Sequence, residues 1–404
     1  MENLKEMLRA IPKAELHTHL DGCVRPATMI KLAKEKGIKL PTDDVQKLCD
    51  LLFKDRYESL DELLRPFGLF NKMMKTADSI EEIAYEFAWD YINDGVYYTE
   101  VRFAPQLHVG RQLEGMEKVL EAANAGMCRA AKEYNSTPEV LKKEKPEFKY
   151  GIICCIMRNI CKGMSEYFDN MLDAFKCSGS IDARVHASKE LVLACIHARD
   201  TLKIPIVAID LAGGENGNPC EIFAEAFKLA REHLFNITVH AGEADGAESI
   251  YNAITTLGAQ RIGHALHLFD TEMVRKQVNA QEYCDKLAEH MAKNNICIEV
   301  NITSNMQTCK ELGSVADHPV GKMIKRGLTV SMACDNLTIS KTCLSKEIEL
   351  LVKNFALSMA ELKKVVLNGF DKSFFPGTYA EKVEYMRSIK KYYETIEAKY
   401  AKKE

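Results

Sequence analysis

The sequence predicts an α/β chain folded as a (β/α)8 TIM barrel, and three observations point there. Apolar, β-branched runs occur eight times with helical stretches between them, the alternation that builds a parallel sheet. Residues able to bind a cation fall at or near the C-terminal ends of the first, fifth and eighth runs, with His264 on the sixth. That is the end of a barrel where active sites are assembled. Closure would also set the first and last strands side by side and bring His17, His19 and Asp335 together, which an open sheet need not do. A doubly wound open sheet is the alternative.

The strands are expected at 14–20, 96–105, 149–157, 205–212, 236–241, 261–266, 295–302 and 328–334. The first connection, 22–95, is long and holds several helices, one of them with Leu60, Leu63, Leu64 and Phe67 at helical spacing. Such helices either close over the barrel mouth as a lid or simply pack on the barrel. Residues 134–148 are polar, contain Pro138 and Pro146, and read as a solvated loop. After the eighth run, 345–355, 359–370 and 382–402 carry helical patterning with charge outward and are expected to cover the barrel wall, the last lysines forming a solvated helix end. No repeat, low-complexity stretch or linker interrupts the chain, so 1–404 is expected to form a single domain.

With 404 residues, 47% of them hydrophobic and 28% charged, the chain can bury a substantial core. A net charge of −4 leaves no polycationic footprint for nucleic acid or an anionic membrane. No run reaches about 18 uncharged apolar residues, and the segment up to Lys13 alternates charges, unlike a signal peptide. The 14 cysteines are scattered, with Cys154 and Cys155 adjacent in an apolar run, and read as reduced, mostly buried thiols. These features lead us to expect a soluble, cytoplasmic protein that acts on a small molecule.

Alternate residues of a strand point the same way, so His17 and His19 can aim two imidazoles at one point. His240 and Asp335 would complete a set of neutral imidazoles and a carboxylate that suits zinc, with one position left for water. Glu243, three residues beyond His240, is placed to serve that water as base. A His-X-His on a buried strand can also be a pair of hydrogen-bonded core histidines. The other segments favour a metal, because each ends an apolar run, where an unpaired Asp or Glu is costly. The fourth strand's tip, 204–213, has no lysine to bridge a second metal, so one ion is favoured. No Gly-X-Ser-X-Gly elbow occurs, and Pro219-Cys220 lacks the second cysteine of the cytidine-type zinc deaminases.

Six motifs, in order between about Ile11 and Phe375, resemble the adenosine deaminase family. They are Pro12 to Gly22 (PKAELHTHLDG), Tyr98 to Pro105 (YTEVRFAP), Ala208 to Gly213 (AIDLAG), Val239 to Glu243 (VHAGE), Arg261 to His264 (RIGH) and Ala333 to Asn336 (ACDN). The resemblance implies a (β/α)8 barrel with one zinc per chain held by His17, His19, His240 and Asp335, and hydroxide attacking C6 of a bound adenine. It makes Glu243 the proton shuttle between water and ring N1. It makes His264 the group that orients the hydroxide and stabilises developing charge; the plainer alternative is a hydrogen bond that only supports its neighbours.

The same resemblance places the Gly213 N–H on ring N3 and Asp21 on the ribose 5′-hydroxyl, the lesser alternative for Asp21 being a cap for the next helix. Leu60, Leu63, Leu64 and Phe67 correspond to an apolar gate over the purine. Two departures stand out. Asn336 occupies a position where many members carry an aspartate for N7; an amide donates there at every pH, whereas an aspartate must be protonated. At Gly214-Glu215, where a more acidic pair often occurs, any purine contact from position 214 must come from backbone. His267 reads equally well as a loop residue and is left out of the site. The implied activity is hydrolytic deamination of adenosine, and of 2′-deoxyadenosine, to the inosine form and ammonia in purine salvage, by a monomer. Adenine and AMP deaminases share nearly all these residues, but acidic Asp21 stands where a phosphate-binding enzyme would place basic groups.

Overall fold

A computed structural model describes residues 2–401. Eight parallel strands follow one another around a single sheet in chain order: β1 (Lys13–His19), β2 (Val96–Phe103), β3 (Lys149–Met157), β4 (Ile206–Ala212), β5 (Asn236–Ala241), β6 (Arg261–His264), β7 (Cys297–Val300) and β8 (Thr329–Met332). Closure runs through the backbone just past β8. The His19 N–H donates to the Asp335 carbonyl at 2.8 Å, and the Asp335 N–H to the His17 carbonyl at 2.8 Å. The first and last strands are therefore neighbours, which excludes the doubly wound order. Strands β2 and β4 are buried along their whole length, as expected of parallel strands covered by helices on one face and barrel core on the other.

Several strands are shorter than their apolar runs, and the backbone shows why. Strand β6 stops at His264 because His264 (φ 66°) and Ala265 (φ 47°) turn into the left-handed region. Asp335 does the same at φ 62° beyond β8. Left-handed backbone costs a non-glycine residue about 1–2 kcal/mol, and such strain tends to collect where the surrounding structure needs a side chain aimed in one direction. Strand β2 gives way at Pro105 to a single helical turn, Pro105–Leu107, since proline cannot donate to the ladder.

The first connection forms helices Pro26–Glu35, Val45–Leu52, Leu60–Leu63, Phe67–Met73 and Ala77–Asn93. The one helix expected over Leu60 to Phe67 is in fact two, parted at Arg65-Pro66, because the residue before proline is disfavoured in helical backbone. The reading of 134–148 as a solvated loop holds for most of its side chains but not for the whole segment. Pro138–Leu141 is a helical turn with Val140 buried, Phe148 is 1% exposed, and the Asn135 side chain both accepts from the Phe148 N–H (2.8 Å) and donates to its carbonyl (3.0 Å). The segment's polar residues face water while these groups pin it to the wall.

Helix Met359–Asp371 packs against β1 and β8, and Leu344–Asn354 and Tyr379–Ala401 pack against the N-terminal helix Glu2–Ala10. The last lysines, Lys402 and Lys403, lie outside the described residues. All fourteen cysteines are free thiols, most of them buried. Among the described residues no helix is long and apolar enough to cross a membrane.

Candidate metal centre and active site

Alternation along β1 sends the His17 and His19 rings to the same side, 5.6 Å apart between centroids. His240 arrives from the end of β5, His264 from the end of β6 and Asp335 from just beyond β8. His19 Nε2 stands 3.1 Å from His240 Nε2 and 3.4 Å from Asp335 Oδ1. His17 Nε2, fully buried with no hydrogen-bond partner, is 3.7 Å from the same carboxylate oxygen. Ligand atoms about 2.1 Å from a tetrahedral ion stand about 3.4 Å apart, so these separations suit one cation. Two imidazole nitrogens facing each other at 3.1 Å also require a proton or a cation between them. The donor set fits a divalent metal. Ligand atoms of His17, His240, His264 and Asp335 likewise all lie within 4.8 Å of one another, so five groups compete for the role.

Buried side chains from other strands fix these rings. His17 donates through Nδ1 to Glu299 Oε2 at 2.6 Å, and His240 through Nδ1 to Asp210 Oδ2 at 3.0 Å. Each bond leaves the outer Nε2 lone pair facing the cluster. Arg102 joins the two carboxylates, with Nη1 on Asp210 (3.0 Å) and Nη2 on Glu299 (2.9 Å). Glu299 also accepts from Thr238 and Arg261. Glu15 accepts the backbone N–H of His17 (2.8 Å) and of Cys334 (2.9 Å), tying β1 to the β8 end, and Ser304 donates to Asp335 Oδ2 at 2.6 Å. Space matters as much: a Cβ on Gly263 would lie 2.6 Å from His17 Cε1, so only glycine lets this ring sit against β6.

Above the cluster opens a cavity of about 890 Å³. His19, Asp21, Gly213, His240, Glu243, His264, Asp335 and Asn336 line it, as do Leu60, Leu63, Leu64 and Phe67. Of the residues assigned to the site from sequence only His17 does not, because it lies beneath. The four apolar residues face the cavity and also pack on the core, Leu63 being buried. His267 lies outside the cavity, 3.3 Å from Asp270. Gly213 has φ 96°, which favours glycine at the point where the backbone borders the cavity. Asp21 does not cap the next helix, which starts at Pro26 with Arg25 in the cap position; its Oδ1 is buried without a partner.

The electrostatics separate the roles. Burial, followed by Arg102 and neighbouring imidazoles, holds His17 well below its usual range, and His19 and His264 are depressed in the same way; neutral imidazoles are what a metal needs. Burial would depress His240 too, but the Asp210 carboxylate outweighs it. Glu243 is raised to about 8 by burial and then by the Asp335 carboxylate, and Asp21 to about 7, chiefly by burial. In the absence of a cation, Glu243 therefore holds its proton near neutrality, and its Oε1 lies 3.6 Å from His264 Nε2.

The hold of one acidic residue on its neighbours is visible only in three dimensions. Glu215, from the β4 loop, accepts the backbone N–H groups of Gly242, Glu243, Ala244 and Asp245 at 2.8–3.0 Å and the Ser249 hydroxyl at 2.5 Å. It clamps the turn that carries Glu243. The available sequence signal for Glu215, as for Asp210, Arg102 and Glu299, was a charged residue within or just beyond an apolar run, where burial demands a partner.

Comparison with known proteins places this geometry in context. A family model described as adenosine deaminase matches residues 12–391. An adenosine deaminase from Clostridium botulinum is 32% identical over 367 residues, covering 91% of this chain and 95% of that protein. Among solved structures, an amidohydrolase from Burkhoderia ambifaria with bound Zn superposes with a TM-score of 0.77 at 20% identity, over 99% of this chain and 95% of that one. An adenine deaminase from Arthrobacter aurescens gives 0.71 at 21% identity, over 95% and 100%. At such identities the structural likeness speaks for the barrel and leaves the substrate open.

Proposed function

The chain belongs to the adenosine deaminase family of hydrolytic deaminases, and from that premise we propose that it converts adenosine, and 2′-deoxyadenosine, to the inosine form and ammonia as a one-domain, one-zinc enzyme. In this reading His17, His19, His240 and Asp335 hold the ion. Zinc, when bound, supplies a Lewis acid that brings the pKa of a water toward about 7. Glu243 takes a proton from the attacking water and delivers one to purine N1, which makes C6 electrophilic; its raised affinity for a proton suits a group that must carry one in each cycle. His264 donates to the oxygen as it bonds to C6. The Gly213 N–H meets N3, the Asn336 amide donates to N7, and Asp21 accepts from the ribose 5′-hydroxyl. Leu60, Leu63, Leu64 and Phe67 keep water from the purine, which strengthens the polar contacts inside.

The observation that carries this reading is the meeting, in one cavity, of the imidazole–carboxylate cluster with the carboxyls of Asp21, which is buried, and Glu243, whose side chain is 7% exposed. A nucleoside monophosphate is the second reading, favoured by Arg65, Lys72, Lys75, Arg111 and Lys162 around the cavity. Three of these already have partners: Arg111 pairs with Glu166, Lys162 with Asp173, and Lys75 donates to the Leu107 carbonyl. Ammonia release from adenosine, 2′-deoxyadenosine, adenine, AMP and 5′-methylthioadenosine separates the possibilities, and adenosine is expected to be fastest. AMP or adenine turning over faster would refute the substrate assignment. Glu243→Gln is expected to lose about 100-fold or more in kcat; full turnover would refute the shuttle.

A further inference from the structure

The cluster leaves open whether His264 holds the metal or serves the oxygen, and the answer turns on which ring nitrogen carries its proton. A backbone N–H can only donate, and that of Val320 points at His318 Nδ1 from 3.1 Å. His318 Nδ1 is therefore an acceptor, and burial, which pushes this imidazole down to about 3, keeps it neutral. Its single proton then sits on Nε2, 3.1 Å from Asn305 Oδ1. This orients the Asn305 amide, whose Nδ2 lies 3.0 Å from His264 Nδ1 and must donate to it.

A second amide reaches the same result independently. Asn301 Nδ2 is 3.3 Å from the Glu299 carbonyl oxygen, an atom that only accepts, and the same nitrogen is 3.4 Å from His264 Nδ1. Two amide donors thus converge on one ring nitrogen, and all four side chains are buried, at 0–2% exposure. With Nδ1 accepting, neutral His264 carries its proton on Nε2, the nitrogen facing Glu243 and the cavity.

We propose that Asn305 and His318 are positioning residues that lock His264 as the Nε2–H tautomer, making it a hydrogen-bond donor toward the cavity and barring it from holding the ion through that nitrogen. The purpose of the donor rests on the deaminase reading, but its direction does not. His264 thereby becomes the opposite tautomer of His17 and His240, whose Nδ1–H groups bond Glu299 and Asp210. The division of labour among five candidate groups follows: His19 joins the ligands, and His264 stays outside them.

Long-range ¹H–¹⁵N spectra of the zinc-loaded, ¹⁵N-histidine-labelled protein read this directly, with His264 assigned by its loss in His264→Asn. The expected signature is a protonated, pyrrole-type Nε2 and an unprotonated, pyridine-type Nδ1 for His264, against the reverse for His17 and His240. A protonated Nδ1 on His264 in the wild-type protein would overturn the proposal. Asn305→Asp replaces the amide donor with a carboxylate that accepts from both histidines. It is expected to invert the His264 tautomer and lower kcat by about 100-fold or more, the usual loss of a donor aimed at developing charge, while KM stays within about threefold. His318→Gln retains one acceptor and one donor and is expected to keep the Nε2–H signature. An Asn305→Asp protein with wild-type kcat and unchanged signature would refute the relay. A protein that releases no ammonia from any purine, yet shows the Nε2–H signature, would remove the deaminase reading and support the tautomer assignment.

Discussion

Gly263→Ala tests how far the metal centre depends on space. The added Cβ would fall 2.6 Å from His17 Cε1, 3.0 Å from His17 Nδ1 and 3.4 Å from the His240 Cα. Carbon atoms settle at about 3.5 Å or more, so the ring must retreat by about 1 Å. It cannot slide freely, because Nδ1 is bonded to Glu299 at 2.6 Å and Glu299 is itself held by Arg102, Thr238 and Arg261. The displacement therefore falls on Nε2, the atom that would meet the ion under the proposed function. Disturbing the partner of a ligating histidine typically costs about 10–100-fold in metal affinity, or about 1.4–2.8 kcal/mol. A misplacement of about 1 Å can remove a further factor of about 100 from turnover, and overpacking costs about 1–3 kcal/mol of folding stability. Zinc affinity is measured by competition with a chelator, and kcat at saturating zinc. A variant that binds zinc within about twofold of wild type would refute the argument.

Arg102→Met leaves Asp210 and Glu299 buried without their shared cation, and a loss of about 3–5 kcal/mol is expected in urea unfolding; an unchanged midpoint would show that the two carboxylates are compensated elsewhere. Glu215→Gln faces four backbone N–H groups with an amide that can accept through one oxygen only. It should lower kcat with zinc affinity retained and cost about 1–3 kcal/mol, and unchanged kinetics would remove Glu215 from the positioning set. His108 is fully buried with neither ring nitrogen in a hydrogen bond of ordinary geometry, and burial depresses it to about 3. Between about pH 6.5 and pH 3 the unfolded chain binds a proton that the folded one refuses, so this residue's contribution is complete above 6.5 and is lost as pH falls. At pH 5 the loss amounts to about 2 kcal/mol. His108→Gln should flatten that part of the decline between pH 7 and pH 5, and an identical decline in wild type and variant would contradict it.

The site was legible in sequence where chemistry follows local period or spacing. His17 and His19 share a side because strand side chains alternate, and Glu243 follows His240 at a fixed distance along one turn. Reading failed where a segment's fate depends on a partner elsewhere. Residues 134–148 look solvated by composition, yet Phe148 is buried and Asn135 holds its backbone. The helix expected across Leu60 to Phe67 breaks at Pro66, a signal that local rules contained and that the apolar spacing masked.

The sequence alone determined the number and order of the strands, the end of the barrel at which the imidazole–carboxylate cluster and its cavity lie, and the donor types available, because hydrophobic runs and residue chemistry are properties of short segments. Only the tertiary structure decided which carboxylate holds which imidazole: Glu299 lies 282 residues from His17 in the chain, and Asp210 lies 30 from His240. It also decided that Gly263 must be small, that Glu215 clamps the Glu243 turn, and that two amide nitrogens face His264 Nδ1. Hydrogen-bond direction and close approach are properties of atoms brought together in space, and closure of the barrel brings these together.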